Sequence, residues 1–312
     1  MAWFSKKKEQ PGWMAISTDT DAIRLAHIDR SPPGKPRVNR WGIVAATQDG
    51  DIELLQAAKD HDLGRYRCAT LLRPTEYQVL MVDAPNVPNE ELKAAIRWRI
   101  KDLLDYHIDD ATMDVLDIPA DKGAAGKGHY MYAVAAKNEF VREQIARFDK
   151  ARIDLRVIDI PETAQRNVAQ LFEAEHRGIG LLTFDGTGGL FTISYEGELY
   201  LARRTDITWS QLVSAPESQR QAYFERIGVD LQRSLDHFER QYPDISLSEL
   251  LVGPLPEEIG LLAYLGSQLY LPLRQIDLAD VLDFAGAELG PDKQWQLFHV
   301  LGAALRVEAN AL

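Results

Sequence analysis

The stretch 181-LLTFDGTGGLFTISYEGELYLAR-203 carries an apolar run into Asp185, crosses Gly186, Gly188 and Gly189, and leaves as an alternating strand. Two readings fit it. Glycine loops can cradle phosphate, because bare backbone N–H groups approach anionic oxygens closely. The same glycines also serve ordinary hairpin turns, since they adopt positive φ without strain. On either reading the segment is a buried strand, a tight polar turn, a strand, a turn and a strand. A second segment near the start, 13-WMAISTDTDAIRLAHID-29, alternates around its own tight turn and reads as a β-hairpin. The chain therefore has two halves that open alike.

The 312 residues are 46% hydrophobic and 26% charged, with six Trp and ten Phe, enough for a packed core and for two domains of about 150 residues each. No run approaches the roughly 18–20 apolar residues of a membrane-spanning helix, and the N-terminus lacks the apolar core of a signal peptide. The single cysteine, Cys68, excludes an internal disulfide and CxxC zinc pairs and fits a reducing cytoplasm. A net charge of −12 argues against a nucleic-acid binder that works by neutralising phosphates. The opening 1-MAWFSKKK-8 sets Trp3 and Phe4 beside Lys6, Lys7 and Lys8. It reads as a solubilising tail, or as a weak assist to contact with an anionic membrane, worth about 3 kcal/mol for three lysines.

Along the first half, 41-WGIVAA-46 reads as a third strand, 51-DIELLQAAKDHDL-63 as a short helix, and about 65–72 and 76–82 as further strands. In 84-APNVPNEELKAAIRWRIKDLL-104, Asn89 reads as a helix N-cap, and Leu92, Ile96, Ile100 and Leu103 line one face while Arg97, Arg99 and Lys101 are solvated. Strands at about 111–118 and 129–136 flank the glycine-rich loop 121-DKGAAGKG-128, and a helix at about 139–150 and a strand near 154–159 complete a compact α+β module set into the larger domain. After Pro161, a helix over 163–176 turns Ala164, Val168, Leu171 and Phe172 inward. The second half continues with a long helix over about 217–242, on which Tyr223, Ile227, Leu231, Leu235, Phe238 and Tyr242 form an apolar seam. Arg226, Arg233 and Arg240 make a basic stripe on another side, either a solvated face or a surface for an acidic partner. A buried strand follows in 248-SELLVGPLPEE-258, then helices at about 258–269 and 292–306.

Two similar halves, each opening with hairpins around a polar turn, outline the actin/hexokinase/Hsp70 architecture. Four stretches make the resemblance narrower: 85-PNVPNEELKAAIRWRIKDLLDYHIDDATMDVLDIP-119, 156-RVIDIPETAQRNVAQLF-172, 230-DLQRSLDHFERQYP-243 and 299-HVLGAALR-306. In this order they resemble the actin-like proteins of type IV pilus assembly, the PilM group, and most of all its MshI branch, which serves MSHA-type pili. The resemblance covers nearly the whole chain. It implies an α/β fold of mixed sheets: two ribonuclease H-like halves with an inserted small subdomain of the kind seen in FtsA. The expected divisions are a tail at 1–12, a first domain at 13–83 plus 156–177, the insert at 84–155 and a second domain at 178–312, with a long-helix subdomain at about 206–245.

In actin-like ATPases a phosphate loop opens each half, typically Asp followed by glycine and hydroxyl residues, and a glycine-rich strand end near the C-terminus receives the adenosine. Set against that pattern, Ser17 stands where the first loop expects Asp, and Asp19 takes a glycine position, bringing a carboxylate towards phosphate oxygens. The second loop keeps Asp185, Gly186 and Gly188. The third keeps Gly253 but follows it with Pro254 and Pro256, which offer no N–H. The residual nucleotide-site candidates are thus Asp185, Gly186, Gly188 and Gly253. The expectation is a pseudo-ATPase that binds no cofactor, or Mg-ATP only weakly, with no catalytic residue and no metal site.

The cluster 105-DYHIDD-110 resembles a metal site in composition but has no second cluster at ligand spacing, and it reads as a polar loop. Cys68, in 66-YRCATLL-72, reads as a small core residue. By resemblance the chain is a scaffold at the cytoplasmic face of the inner membrane. It would grip the cytoplasmic N-terminal segment of a bitopic PilN- or MshJ-like partner and associate peripherally with the membrane and other pilus-assembly components. Arg97, Trp98 and Lys101 are the candidate partner contacts, Trp98 because it lies off the Leu92/Ile96 seam. The related type II secretion protein would continue into a transmembrane helix, whereas this sequence stops after 299-HVLGAALR-306 and a short polar tail. The competing expectation is an actin-like ATPase whose nucleotide turnover controls assembly.

Overall fold

A computed structural model describes residues 10–46, 50–119 and 129–307; the Trp3–Lys8 segment and the 121–128 loop lie outside them. The first half runs β1 (Trp13–Thr18), β2 (Ala22–Asp29), β3 (Arg37–Ala45), α1 (Asp51–Asp60), β4 (Cys68–Leu71), β5 (Tyr77–Asp83), α2 (Asn89–Ile100), β6 (Ala111–Ile118), β7 (Tyr130–Lys137), α3 (Asn138–Lys150), β8 (Leu155–Asp159) and α4 (Pro161–Ala169). The second runs β9 (Gly178–Phe184), β10 (Gly189–Tyr195), β11 (Glu198–Thr205), α5 (Trp209–Ser214), α6 (Glu217–Gln241), β12 (Leu247–Val252), α7 (Leu261–Gln268), β13 (Leu273–Gln275) and α8 (Pro291–Ala304).

Three sheets result. One is ordered β3-β2-β1-β4-β8, another β11-β10-β9-β12-β13, and a small one β5-β7-β6. The two large sheets repeat one plan. Three strands pair antiparallel through hairpins; the first of them then pairs parallel with a strand reached by a crossover, and that strand pairs parallel with a second crossover strand at the sheet's other edge. This is the actin-like fold. β1, β2, β9 and β10 are buried almost throughout on both faces, alternate side chains entering the middle layer and the outer cores, so a one-residue slip would exchange the two sets.

α4 and α8 form the middle layer between the large sheets. Ala15 and Ile28 of one sheet and Ile179 and Leu181 of the other close over Ala164, Val168, Leu297 and Leu301. α6 covers the far side of the second sheet with Phe224, Ile227, Leu231, Leu235 and Phe238, and α1 and α3 cover the far side of the first, where Phe148 meets Met14, Ile16 and Leu54. Each such Leu, Ile, Val, Phe or Met side chain, fully buried, contributes roughly 1.5–3 kcal/mol.

Several elements differ from the sequence expectations. β5, placed by sequence in the first domain, pairs with β7 in the small sheet. α3, placed in the insert, buries Phe148 in the first half's core; it is the crossover helix that α7 is in the second half. The segment set into the first half is therefore β5-α2-β6-β7, and β8, the strand expected to close the module, pairs instead with β4. α2 starts one residue earlier than the N-cap reading implies, with Pro88 at the cap and Asn89 the first helical residue. It ends at Ile100, so Leu103 leaves the seam and is 55% exposed. The helix after Pro161 stops at Ala169, short of the expected 176, with Leu171 and Phe172 half-buried beyond its end. On α6 it is Phe224, not Tyr223, that enters the seam. The short α5, closed by a capping box between Thr208 and Gln211, and the three-residue β13 are additional elements.

Candidate functional site

The hairpins β1–β2 and β9–β10 end at opposite walls of one cleft of about 450 Å³ between the halves. Their turns have the same construction. Thr18 pairs with Ile23 and the Asp19 N–H donates to the Ala22 carbonyl at 3.1 Å. Phe184 pairs with Gly189 and the Asp185 N–H donates to the Gly188 carbonyl at 2.9 Å. Asp19 is thus the counterpart of Asp185, and Ser17 that of Thr183. This corrects the expectation that Ser17 holds the first loop's aspartate position: the strand register puts that position at Asp19, and Thr20 and Asp21 stand opposite Gly186 and Thr187.

Both carboxylates are already engaged. Asp19 Oδ2 accepts from Ser17 Oγ at 3.1 Å and from Arg24 Nη1 at 2.9 Å, and Arg24 also grips Asp21 at 2.7 Å. Burial raises the Asp19 carboxyl above its usual range even though Arg24 pulls it down, and Asp185 adds to the rise. Asp185 Oδ1 accepts from the Thr187 N–H at 2.7 Å, the Thr187 hydroxyl at 2.6 Å and the Gly188 N–H at 3.1 Å. The aspartate therefore takes up the Thr187 and Gly188 backbone donors of its turn. Gly188 has φ +143°, and a Cβ there would meet the Thr205 carbonyl oxygen at 2.2 Å, so the glycine permits a close crossing of backbone by β11.

α8 supplies the third wall. Its Trp295 indole N–H donates to the Phe184 carbonyl at 2.6 Å, and His299 Nδ1 lies 3.9 Å from Asp185 Oδ2. Burial lowers the His299 pKa, Asp185 opposing it. Neither residue carries a local sequence signal, since both reach the cleft only through the packing of α8. Gly253 lies elsewhere. Its N–H donates to the Leu182 carbonyl at 2.8 Å, it is buried, and a Cβ would strike Thr183 Cγ2 at 2.8 Å. It continues the β12 ladder beside β9 and is not among the residues lining the cleft.

On α2 the three partner candidates separate. Arg97 turns back onto its own subdomain, donating to the Ile108 carbonyl at 2.6 Å and to Asp109 at 3.2 Å. Trp98 is 71% exposed, and Lys101 Nζ sits 5.5 Å from its ring centroid. In the 105–110 cluster, His107 Nδ1 accepts from the Asp109 N–H at 3.3 Å. Among the described residues no group of His, Cys, Asp and Glu side chains has a metal-holding arrangement. Cys68 is buried, and burial pushes its thiol up to about 12.

No protein-family model and no curated protein matches the sequence. Solved structures do match in fold. A PilM–PilN type IV pilus biogenesis complex is similar over 94% of this chain and 96% of its own, with a TM-score of 0.70 at 16% identity. The cytoplasmic domain of EpsL, an inner-membrane component of the Vibrio cholerae type II secretion system, is similar over 95% and 96%, with a TM-score of 0.51 at 14% identity. A Bacteroides thetaiotaomicron protein of actin-like ATPase fold and unknown function is similar over 91% and 96%, with a TM-score of 0.50 at 10% identity.

Proposed function

We propose that this chain is a scaffold of a type IV pilus assembly machine of the MSHA type. In this reading it works at the cytoplasmic face of the inner membrane and holds the N-terminal cytoplasmic segment of a PilN- or MshJ-like partner without turning over nucleotide. The observation that supports it most is the likeness to the PilM–PilN complex over 94% of the chain. Among the described residues no helix is long and apolar enough to cross a membrane.

The pseudo-ATPase part rests on the cleft. A phosphate there would have to take the Thr187 and Gly188 N–H groups from Asp185, approach the Asp19 and Asp185 carboxylates, and displace Arg24 from its two partners. Gly253 and Pro254 offer no free backbone donor to a base. The residues do not fit Mg-ATP. One observation favours the second reading, an actin-like ATPase: the hairpin register retains an aspartate in both halves, Asp19 and Asp185.

The test is calorimetric titration with a synthetic peptide of the partner's cytoplasmic N-terminus. The proposal expects saturable binding without nucleotide, weakened at least about tenfold by Trp98→Ala if this exposed ring is an anchor. No binding, or binding only with Mg-ATP present, would overturn it.

A further inference from the structure

β11 is the outer strand of the second sheet, and between it and α6 lies a slot of about 290 Å³. Leu182 and Phe191 on the sheet and Ile227 and Leu231 on α6 close its base. Arg203 stands on the strand side and Arg233 on the helix side. This chain is strongly acidic and most of its arginines are paired, Arg24, Arg147, Arg226 and Arg274 among them. Arg203 has only a 3.5 Å contact to the adjacent Ala202 carbonyl, and Arg233 has no carboxylate within ion-pair distance among the described residues. Arg204 also lines the slot, but its guanidinium is committed to Glu162 on the opposite face. The one acidic group in the lining is Asp230.

The backbone of β11 adds a second feature. The Tyr132 hydroxyl of the small subdomain donates to the Tyr200 carbonyl and accepts from the Ala202 N–H, each at 3.2 Å, capping the outer edge at those residues. The same parity turns the Arg204 N–H and C=O to that outer side, since Arg204 lies two residues beyond Ala202 on a regular register.

We propose that this slot receives an extended segment of a partner chain in which acidic residues alternate with aliphatic ones. The segment pairs its backbone with β11 at Arg204, sets its aliphatic side chains into the slot and sets carboxylates between Arg203 and Arg233. Edge-strand addition supplies affinity through main-chain hydrogen bonds and specificity through alternate side chains, and two guanidinium groups with no carboxylate partner among the described residues select for carboxylates. The surface is on the second half, away from the cleft and from α2, and does not depend on the PilN-like reading.

The experiment is fluorescence anisotropy of a labelled peptide alternating glutamate and leucine, compared with its glutamine–leucine analogue, on the full chain. The proposal expects saturable binding that weakens roughly tenfold for the analogue and at least as much for the double variant Arg203→Glu, Arg233→Glu. Arg142→Glu, exposed on α3 of the first half, should bind as wild type. Circular dichroism establishes that the variants are folded. If the charge reversal perturbs folding, Arg203→Gln with Arg233→Gln and a salt titration replace it, both expected to weaken binding. No saturable binding, equal binding of the glutamine analogue, or an unaffected double variant overturns the proposal. A change in self-association on sedimentation with peptide binding intact does so too, and makes the occupant a second copy of this chain.

Discussion

Arg204 and Glu162, on different halves of the chain, form an ion pair in which Nε lies 2.8 Å from Oε1 and the glutamate side chain is 3% exposed. The Tyr77 hydroxyl donates to the other glutamate oxygen at 2.5 Å and accepts from Arg204 Nη2 at 2.9 Å. Arg204 is on β11, Glu162 at the start of α4 and Tyr77 on β5, so one polar network joins both halves and the small subdomain. Arg204→Ala leaves a buried carboxylate unpaired and is expected to cost about 3 kcal/mol. Tyr77→Phe should cost about 1 kcal/mol. Urea unfolding measures both, and a cost for Arg204→Ala within the range of a surface substitution would contradict the lock.

The contact between α4 and α8 depends on the absence of one atom. A Cβ on Gly302 would sit 2.2 Å from the Ala164 carbonyl oxygen, and the Gly302 carbonyl accepts from Asn167 Nδ2 at 2.9 Å. Gly302→Ala must push the middle-layer helices apart, for an expected loss of about 3 kcal/mol. Gly266→Ala, on the exposed side of α7 with nothing within 4 Å of the new atom, should stabilise by about 0.5–1 kcal/mol. Thermal unfolding of the pair separates close approach from the general effect of replacing a helical glycine.

His299 predicts a pH dependence. Burial holds its folded pKa below the ordinary 6.5, so the folded state binds fewer protons there than the unfolded one. Its contribution is present above pH 6.5 and is lost as pH falls through the folded value. Burial lowers His27 and His61 in the same sense. Tm should therefore fall on acidification from about pH 7.5 to about pH 5.5, and His299→Gln should remove part of that slope while His27 and His61 keep the rest. An unchanged slope in the variant would show that His299 is not held neutral.

The repeated hairpins could be read along the chain because each is a pair of short strand-forming runs around a polar turn, at Asp19 to Asp21 and at Asp185 to Gly188, which is a local signal. The turn positions could not. Whether Ser17 or Asp19 matches Asp185 depends on how many residues the turn takes, and only the pairing of Thr18 with Ile23 decides it. The limits of the inserted segment were misplaced for a similar reason: β5 and α3 look alike in sequence whichever core they serve, and it is the pairing with β7 and the burial of Phe148 that assign them. Trp98 was legible as a residue off the seam, whereas Arg97 beside it was not separable from it until its carbonyl partners were visible. Arg204 with Glu162, and His299 with Asp185, join residues more than 40 positions apart, and no periodicity encodes such a meeting.

The central question is whether the cleft between Asp19 and Asp185 holds nucleotide. The direct measurement is a calorimetric titration of the purified protein with Mg-ATP, repeated on Asp185→Asn. The prediction is no saturable heat for either protein, because Asp185 occupies the Thr187 and Gly188 N–H groups and Arg24 is held between Asp19 and Asp21. Saturable micromolar binding by the wild type, lost in Asp185→Asn, would contradict it and make the hairpin a working phosphate cradle.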